Sequence, residues 1–200
     1  MDLVKLLMSQ LGDNGLDAMA QKAGMNTNQA ASALEGIVPT LLGTMAKNTS
    51  TNDGANGLLG ALDRDHDGSV LDDVMGFIGG GNSERVGSGI LKHVLGGNTQ
   101  SVENSLADKV GVSSSGISSL MKMAAPLLMG MLGKQRKESS NSGFDAGNIG
   151  SVLSGLAGNS DANTGLDLGD VFSMVGALTG NRGGFSSGVG GLLKGLFGGK

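Results

Sequence analysis

Cysteine, tryptophan and tyrosine are all missing from this chain of 200 residues, and five phenylalanines are its only aromatic side chains. Without cysteine the chain has no disulfide framework and no thiol chemistry. With so few aromatic residues, the core must be built from leucine, valine, isoleucine, methionine and alanine. The net charge of −4 at pH 7 disfavours a polyanionic partner such as nucleic acid. Four methionines are predicted to fill the core, with an adaptable binding surface as the alternative: Met121, Met123, Met129 and Met131.

Long hydrophobic runs and a secretory signal are also missing. No segment reaches eighteen uninterrupted apolar residues, so no transmembrane helix is expected. The apolar run in residues 1–8 is too short for a signal peptide, and no small-residue cleavage site follows it. We therefore expect a cytoplasmic protein, with the envelope or the extracellular space as the alternative if the chain is exported without a signal.

Glycine is abundant instead, at 38 of 200 residues, whereas its usual share is about 7%. An interior glycine costs a helix roughly 1 kcal/mol relative to alanine. Helices that contain so much glycine gain from a neighbour, so we expect stability to depend on partners, ions or a second copy of the chain.

A cluster of five aspartates within residues 63–73, here called the aspartate loop, indicates a metal site. Asp63, Asp65 and Asp67 occupy alternate positions, and Gly68 follows at once. Alternate side chains can converge on one calcium ion, and the glycine permits the sharp turn after the third ligand. The pattern resembles the first half of an EF-hand loop.

The second half of the aspartate loop departs from the EF-hand pattern. Val74 stands at position twelve, where a glutamate normally closes the site. Two aspartates come one or two residues early, so the first turn of an exit helix, predicted from Leu71 to Ile78, would supply the closing ligand. Five carboxylates repel each other unless a cation or solvent screens them. We predict that Ca²⁺ is the cofactor and that its ligands are Asp63, Asp65, Asp67, Ser69 (through its carbonyl), Asp72 and Asp73; the alternative is a solvated polar turn.

An internal repeat organises the chain. When the first fifty residues are shifted by 87 positions, the register holds without a gap, and both prolines of the protein coincide at Pro39 and Pro126. Each copy is predicted to contain a first helix, a turn centred on Gly24 or Gly111, a longer second helix and a third segment where the proline bends or interrupts the chain. In copy one the first helix is predicted near Leu16–Ala23. The other coincidences are Lys5 with Lys92, Ala20 with Ala107, Lys22 with Lys109, Ser32 with Ser119, Leu41 with Leu128, Gly43 with Gly130 and Lys47 with Lys134.

These patterns predict an all-α fold. Two tandem copies of a small helical unit, helix-turn-helix-like and kinked by proline, are joined by a short EF-hand-type calcium loop, and a glycine-rich tail follows. The predicted segments are helical repeat 1 at 1–50, the calcium-type loop with its exit helix at 51–80, helical repeat 2 at 81–137, a Gly/Ser linker with a degenerate copy of the loop and helix at 138–182, and a glycine-rich apolar tail at 183–200.

Several stretches resemble the bacterial YidB-like family. They are M-D-L-V-K-L-L at the start, A-A-S-A-L-E-G-I-V-P-T-L-L-G-T-M, the loop D-R-D-H-D-G-S-V-L-D-D-V and A-A-P-L-L-M-G-M-L-G. The resemblance covers most of residues 1–137. The family is a domain of unknown function found in small helical proteins, so the resemblance implies a helical fold and a bacterial source and supplies no activity.

No constellation of catalytic residues is present in the sequence. His66 and His93 have no cysteine or serine partner at a recognisable spacing, so the chain is predicted not to be an enzyme. Both units are also laid out like a DNA-binding helix-turn-helix. Their second helices, at Thr27–Glu35 and Ser114–Leu120, carry no lysine or arginine. DNA binding would therefore lack the phosphate contacts that supply most of its affinity.

The glycine-rich tail has an apolar and weakly basic composition. In a helix, six of its side chains would lie along one broad face, flanked by Lys194 and Lys200. Such a segment could lie on a membrane surface or dock into another subunit, and the alternative is a frayed terminus. The six predicted interaction residues are Phe185, Val189, Leu192, Leu193, Leu196 and Phe197.

We therefore expect a non-enzymatic, calcium-binding structural or interaction module that associates with itself or with a protein partner. One alternative is a membrane-associated envelope or stress protein that acts through its C-terminal tail. The other is a helix-turn-helix DNA binder, which the missing basic residues disfavour.

Overall fold

The computed structural model describes residues 3–64, 68–138 and 144–158. Within these ranges the regular structure is entirely helical, which confirms the predicted all-α class. Short 3-10 turns lie at Ser69–Leu71 and Gly96–Asn98. The α-helices are α1 (Leu3–Ala23), α2 (Thr27–Asn48), α3 (Asn52–Arg64), α4 (Val74–Gly79), α5 (Asn82–Leu95), α6 (Thr99–Val110), α7 (Ser114–Glu138) and α8 (Ile149–Gly158).

Helix α1 consists of two helical stretches that meet at Gly12. This glycine has φ 60° and ψ 179°, a backbone conformation that favours glycine. The helix predicted near Leu16–Ala23 is the second stretch. The first stretch was not predicted, and it buries Leu3 and Leu7 in the core. The chain then leaves α1 through Gly24, whose φ of 68° is the left-handed helix stop that the sequence predicted.

Helix α2 lies at the centre of the core. A capping box starts it: the Asn26 side chain accepts a hydrogen bond from the Gln29 amide at 2.9 Å, and the Gln29 side chain accepts one from the Asn26 amide at 3.0 Å. Every residue from Gly36 to Ala46 is buried. Helices α1, α7 and α8 pack around this stretch, which explains why it is apolar on all sides.

Neither proline interrupts its helix. Helix α2 continues through Pro39, and α7 continues through Pro126. The predicted interruption, and with it a separate third segment in each copy, is therefore absent. Beside Pro39, the Thr40 hydroxyl donates a hydrogen bond of 2.7 Å to the carbonyl oxygen of Gly36. The acceptor that Pro39 leaves without an N–H donor is the Glu35 carbonyl, one residue before Gly36. Burial of the whole stretch favours the unbroken helix despite this loss.

Helix α7 is the second core helix. It starts at Ser114, after a left-handed Gly111 with φ 71° ends α6. It is long and apolar enough to cross a membrane, but 83% of the stretch that qualifies is buried inside the protein, as in the core helix of a soluble protein. The four methionines predicted to fill the core are all buried, with exposures of 0%, 1%, 3% and 5% for Met121, Met123, Met129 and Met131.

Candidate functional site

The aspartate loop joins α3 to α4, and the structure describes both of its flanks. Asp63 and Arg64 are the last residues of α3, and the next residue that the structure describes is Gly68. The predicted ligands Asp65 and Asp67 lie outside the described residues, together with His66. Four of the six predicted ligands can therefore be placed.

Asp63 forms a bidentate ion pair with Arg136, near the end of α7. The Nε atom of Arg136 lies 2.9 Å from Oδ1 of Asp63, and Nη2 donates a hydrogen bond of 2.9 Å to Oδ2. The planar guanidinium matches a carboxylate in this geometry, so the pair fixes direction as well as charge. It ties the start of the loop to a helix 73 residues further along the chain. The sequence analysis missed Arg136, and the available signal was the basic run at 134–137.

Gly68 adopts the left-handed conformation, with φ 97° and ψ −9°, at the position where the EF-hand pattern places its glycine. It is buried, and a Cβ atom there would lie 3.0 Å from Cβ of Lys134 in α7. One turn earlier in α7, a Cβ atom on Gly130 would meet Cγ1 of Val70. Glycine at both contacts lets the loop exit rest directly on the last turns of α7.

The remaining placed ligands have local hydrogen-bond partners. The Ser69 carbonyl accepts a bond of 3.1 Å from the Asp72 amide. Asp73 is the N-cap of α4, because its Oδ1 accepts a bond of 2.8 Å from the Gly76 amide. The exit helix therefore begins at Val74, after a 3-10 turn, and not at Leu71 as predicted. Asp72 is exposed at the end of that 3-10 turn, so both aspartates precede the helix.

The described residues fit a cation only in part. The left-handed Gly68 suits a calcium loop, whereas the carboxylates of Asp63 and Asp73 already have protein partners. Among residues 3–64, 68–138 and 144–158, no three or more His, Cys, Asp or Glu side chains form a group that could hold a metal ion. Because that statement does not extend to Asp65 and Asp67, the calcium site stays a prediction.

A family model described as a bacterial protein of unknown function, DUF937, matches residues 5–135. The chain belongs to this family. The match includes the aspartate loop and nearly all of α1 to α7, whereas α8 and everything after it lie beyond the match. It confirms the resemblance to a bacterial family of unknown function. No curated protein matches the chain, and no solved structure does.

In this DUF937 chain, the starts of α2 and α7 are the segments predicted as DNA-reading helices. They carry no lysine or arginine within Thr27–Glu35 and Ser114–Leu120. The exposed residues at the start of α2 are Asn28 and Ser32, which are both uncharged. The start of α7 packs against the end of α1, since a Cβ atom on Gly116 would lie 2.7 Å from the Ala23 carbonyl oxygen. This contact gives the start of α7 a packing role against α1, and DNA binding stays untested.

The predicted interaction tail of the DUF937 chain lies outside the described residues. This holds for all six of its apolar positions: Phe185, Val189, Leu192, Leu193, Leu196 and Phe197. The degenerate copy of the loop and helix, predicted within 138–182, lies outside them from residue 159 onward. Helix α8 lies inside this predicted range, and its docking on α2 was not predicted from the sequence.

Proposed function

We propose that this chain is a non-enzymatic structural or interaction module whose aspartate loop binds calcium and clamps α3 against α7. The observation that carries the proposal is the contact of the loop with α7. Asp63, at the start of the loop, pairs with Arg136, and Gly68, in the middle of the loop, lies against Lys134. A cation held between these two points would tie together helices from distant parts of the sequence.

The charge of the loop favours a divalent cation. Residues 63–73 contain five aspartates and one arginine. The ion pair with Arg136 offsets the charge of one carboxylate. A calcium ion would offset two more, and it prefers the oxygen ligands that aspartates and backbone carbonyls supply. Calcium binding would therefore stabilise the folded loop more than the unfolded chain.

The position of the loop between two similar units supports the clamp. The left-handed glycines Gly24 and Gly111 are 111 − 24 = 87 residues apart. The helices that follow them, α2 and α7, start at Thr27 and Ser114, which are 114 − 27 = 87 residues apart. We propose that the chain contains two copies of one unit and that the loop connects them.

The first prediction is that calcium raises the melting temperature of the full chain. A site filled at 100 times its dissociation constant stabilises the folded state by roughly 2.7 kcal/mol. The combined substitution Asp65→Ala and Asp67→Ala should abolish this gain. The measurement is thermal unfolding in calcium and in chelator at matched ionic strength.

The matched control replaces two exposed aspartates outside the loop, Asp13→Ala and Asp108→Ala, and should keep the calcium effect. Identical melting curves of the unaltered chain with and without calcium would overturn the proposal. The proposal is also overturned if the control pair abolishes the calcium effect on the melting temperature as completely as the loop pair, because the response to calcium would then be non-specific.

The partner itself stays a prediction: it is a second copy of the chain, with a membrane surface or DNA as the alternatives. Size-exclusion chromatography, liposome retention and DNA retention on the same preparation separate them. Retention on DNA that declines steeply with salt would favour the helix-turn-helix alternative, since that dependence marks phosphate contacts.

A further inference from the structure

Helix α8 lies along α2 and buries an apolar stripe against it. Ile149, Leu153 and Ala157 recur every four residues, and their exposures are 0%, 0% and 3%. Leu156, at 9% exposure, widens the same stripe. The two helices approach closely at Gly150, where a Cβ atom would lie 3.0 Å from Oγ1 of Thr49 and 3.6 Å from the Ala46 carbonyl oxygen. The surface of α2 that receives α8 is here called the α2 surface.

Helix α8 is an addition to the family domain. The family match ends at residue 135, whereas α8 begins at Ile149. A turn at Asp145 starts it: Oδ1 accepts hydrogen bonds from the amides of Gly147 at 2.9 Å and Asn148 at 3.0 Å. A helix of ten residues is too short to persist alone in water, so its folding depends on docking. The family domain thus presents a surface on which a short apolar helix folds.

We infer that the α2 surface is a docking site for a short apolar helix, and that α8 of a second copy can occupy it in place of the chain's own α8. The second copy brings the same side chains, so every contact of the docked helix is preserved in the exchange. Two copies that exchange α8 form a symmetric dimer through an interface already present within one chain. The inference is independent of calcium, and it concerns a surface separate from the glycine-rich tail.

The connection between α7 and α8 sets the concentration at which the exchange occurs. Ten residues separate the end of α7 from the start of α8, and a helix tethered over so few residues experiences an effective concentration of the order of millimolar near its own surface. At about 10 μM the chain's own α8 therefore occupies the site. At about 1 mM, and above all when chains refold together, α8 of a neighbour competes on equal terms.

The absence of cysteine permits a direct test by disulfide trapping. One copy carries Thr49→Cys and the other carries Gly150→Cys, positions whose side chains would lie within disulfide reach. The two variants are mixed, refolded in chelator at about 1 mM and about 10 μM, and then oxidised. We expect a covalent dimer that contains one copy of each variant, formed at least tenfold more at the higher concentration.

The matched control places the cysteine on the outer face of α8. Gly155 is exposed, and a Cβ atom there would have nothing within 4 Å, so Gly155→Cys should not form a disulfide with Thr49→Cys. The double variant on one chain should form an internal disulfide at 10 μM. An internal disulfide without any mixed dimer at either concentration would overturn the inference, and so would equal trapping by Gly155→Cys.

A second measurement does not depend on the cysteine variants. Leu153→Asp in the full chain should displace its own α8 and leave the α2 surface accessible. A fluorescent peptide of residues 144–158 should then bind this variant saturably, and bind the unaltered chain at least tenfold more weakly. Circular dichroism checks that the variant keeps its helices. Absence of saturable binding to a folded Leu153→Asp chain would refute the docking site.

Discussion

At the scale of single residues, position decides whether a glycine is required. In α5, a Cβ atom on Gly87 would clash with the carbonyl oxygen of Lys122 in α7. Two residues later, Gly89 is exposed, and a Cβ atom on it would have nothing within 4 Å. The sequence shows two similar glycines in one helix, and the difference arises only from the distance between α5 and α7. Composition alone could not predict it.

This contrast gives the second prediction. Gly87→Ala should destabilise the fold by at least about 2 kcal/mol, because the methyl group meets the backbone of α7 and the helices must separate. Gly89→Ala should stabilise it by up to about 1 kcal/mol, since alanine favours an exposed helix interior. Urea unfolding of both variants measures the two effects. Equal effects of the same sign would contradict the close approach of α5 and α7.

At the scale of helices, local signals were predicted and packing effects were not. Gly24 and Gly111 were predicted as turn residues because a left-handed glycine after a helix is a local feature. The continuation of α2 through Pro39 was not predicted, since it depends on neighbours that bury the helix on every side. The late start of the exit helix at Val74 was not predicted either: Asp73 caps it after a 3-10 turn that contacts α7.

The third prediction concerns the tie between α3 and α7. A double-mutant cycle of Asp63→Ala and Arg136→Ala should give a coupling free energy of about 0.5–1 kcal/mol in chelator. The value is modest because the Asp63 and Arg136 side chains are 52% and 24% exposed, and salt should lower it. Asp63→Ala should cost more than Arg136→Ala. Within the part of the chain that the structure describes, Nη1 of Arg136 is a buried donor without an acceptor. In the Asp63→Ala variant, Arg136 would also lose the carboxylate that accepts from its other nitrogens.

Urea unfolding at low and high salt measures this cycle. Asp72→Ala is the control, because Asp72 is an exposed aspartate of the same loop and is not a member of the ion pair. Its effect should add to that of Arg136→Ala without coupling. A coupling free energy of zero at both salt concentrations would show that the ion pair does not hold the loop on α7.

At the scale of the whole molecule, the parts that sequence patterns could reveal are those encoded by neighbouring residues. The carboxylates and Gly68 were visible because they stand side by side. Arg136 was not, since its partner lies 73 residues away and charge alone does not select one arginine. The docked α8 was hidden for a related reason. Its apolar stripe is short, and only the α2 surface gives it a structural role.

The last prediction concerns the glycine-rich tail. Residues 184–200 contain the six apolar positions predicted to form one face of a helix, with Lys194 and Lys200 beside it. Repeated glycines make such a helix unstable alone in water, so it should order only on a lipid surface or on another copy of the chain. Deletion of 184–200 should leave the helical domain folded. The family match ends at residue 135, and the described core is built from residues before 159.

The deletion should remove self-association or membrane binding, and two assays distinguish these outcomes. Sedimentation measures the oligomeric state, and co-flotation measures binding to vesicles with and without anionic lipid. Leu192→Ser with Leu196→Ser in the full chain should reproduce the loss, because it removes apolar area without shortening the chain, whereas Lys194→Gln should weaken only binding to anionic vesicles. If the truncated chain keeps both its oligomeric state and its vesicle binding, the tail is not the interaction segment. A different result is that the truncated chain loses its oligomers while neither the full nor the truncated chain binds vesicles. The tail then joins one copy of the chain to another, because its apolar face is buried against protein and not against lipid.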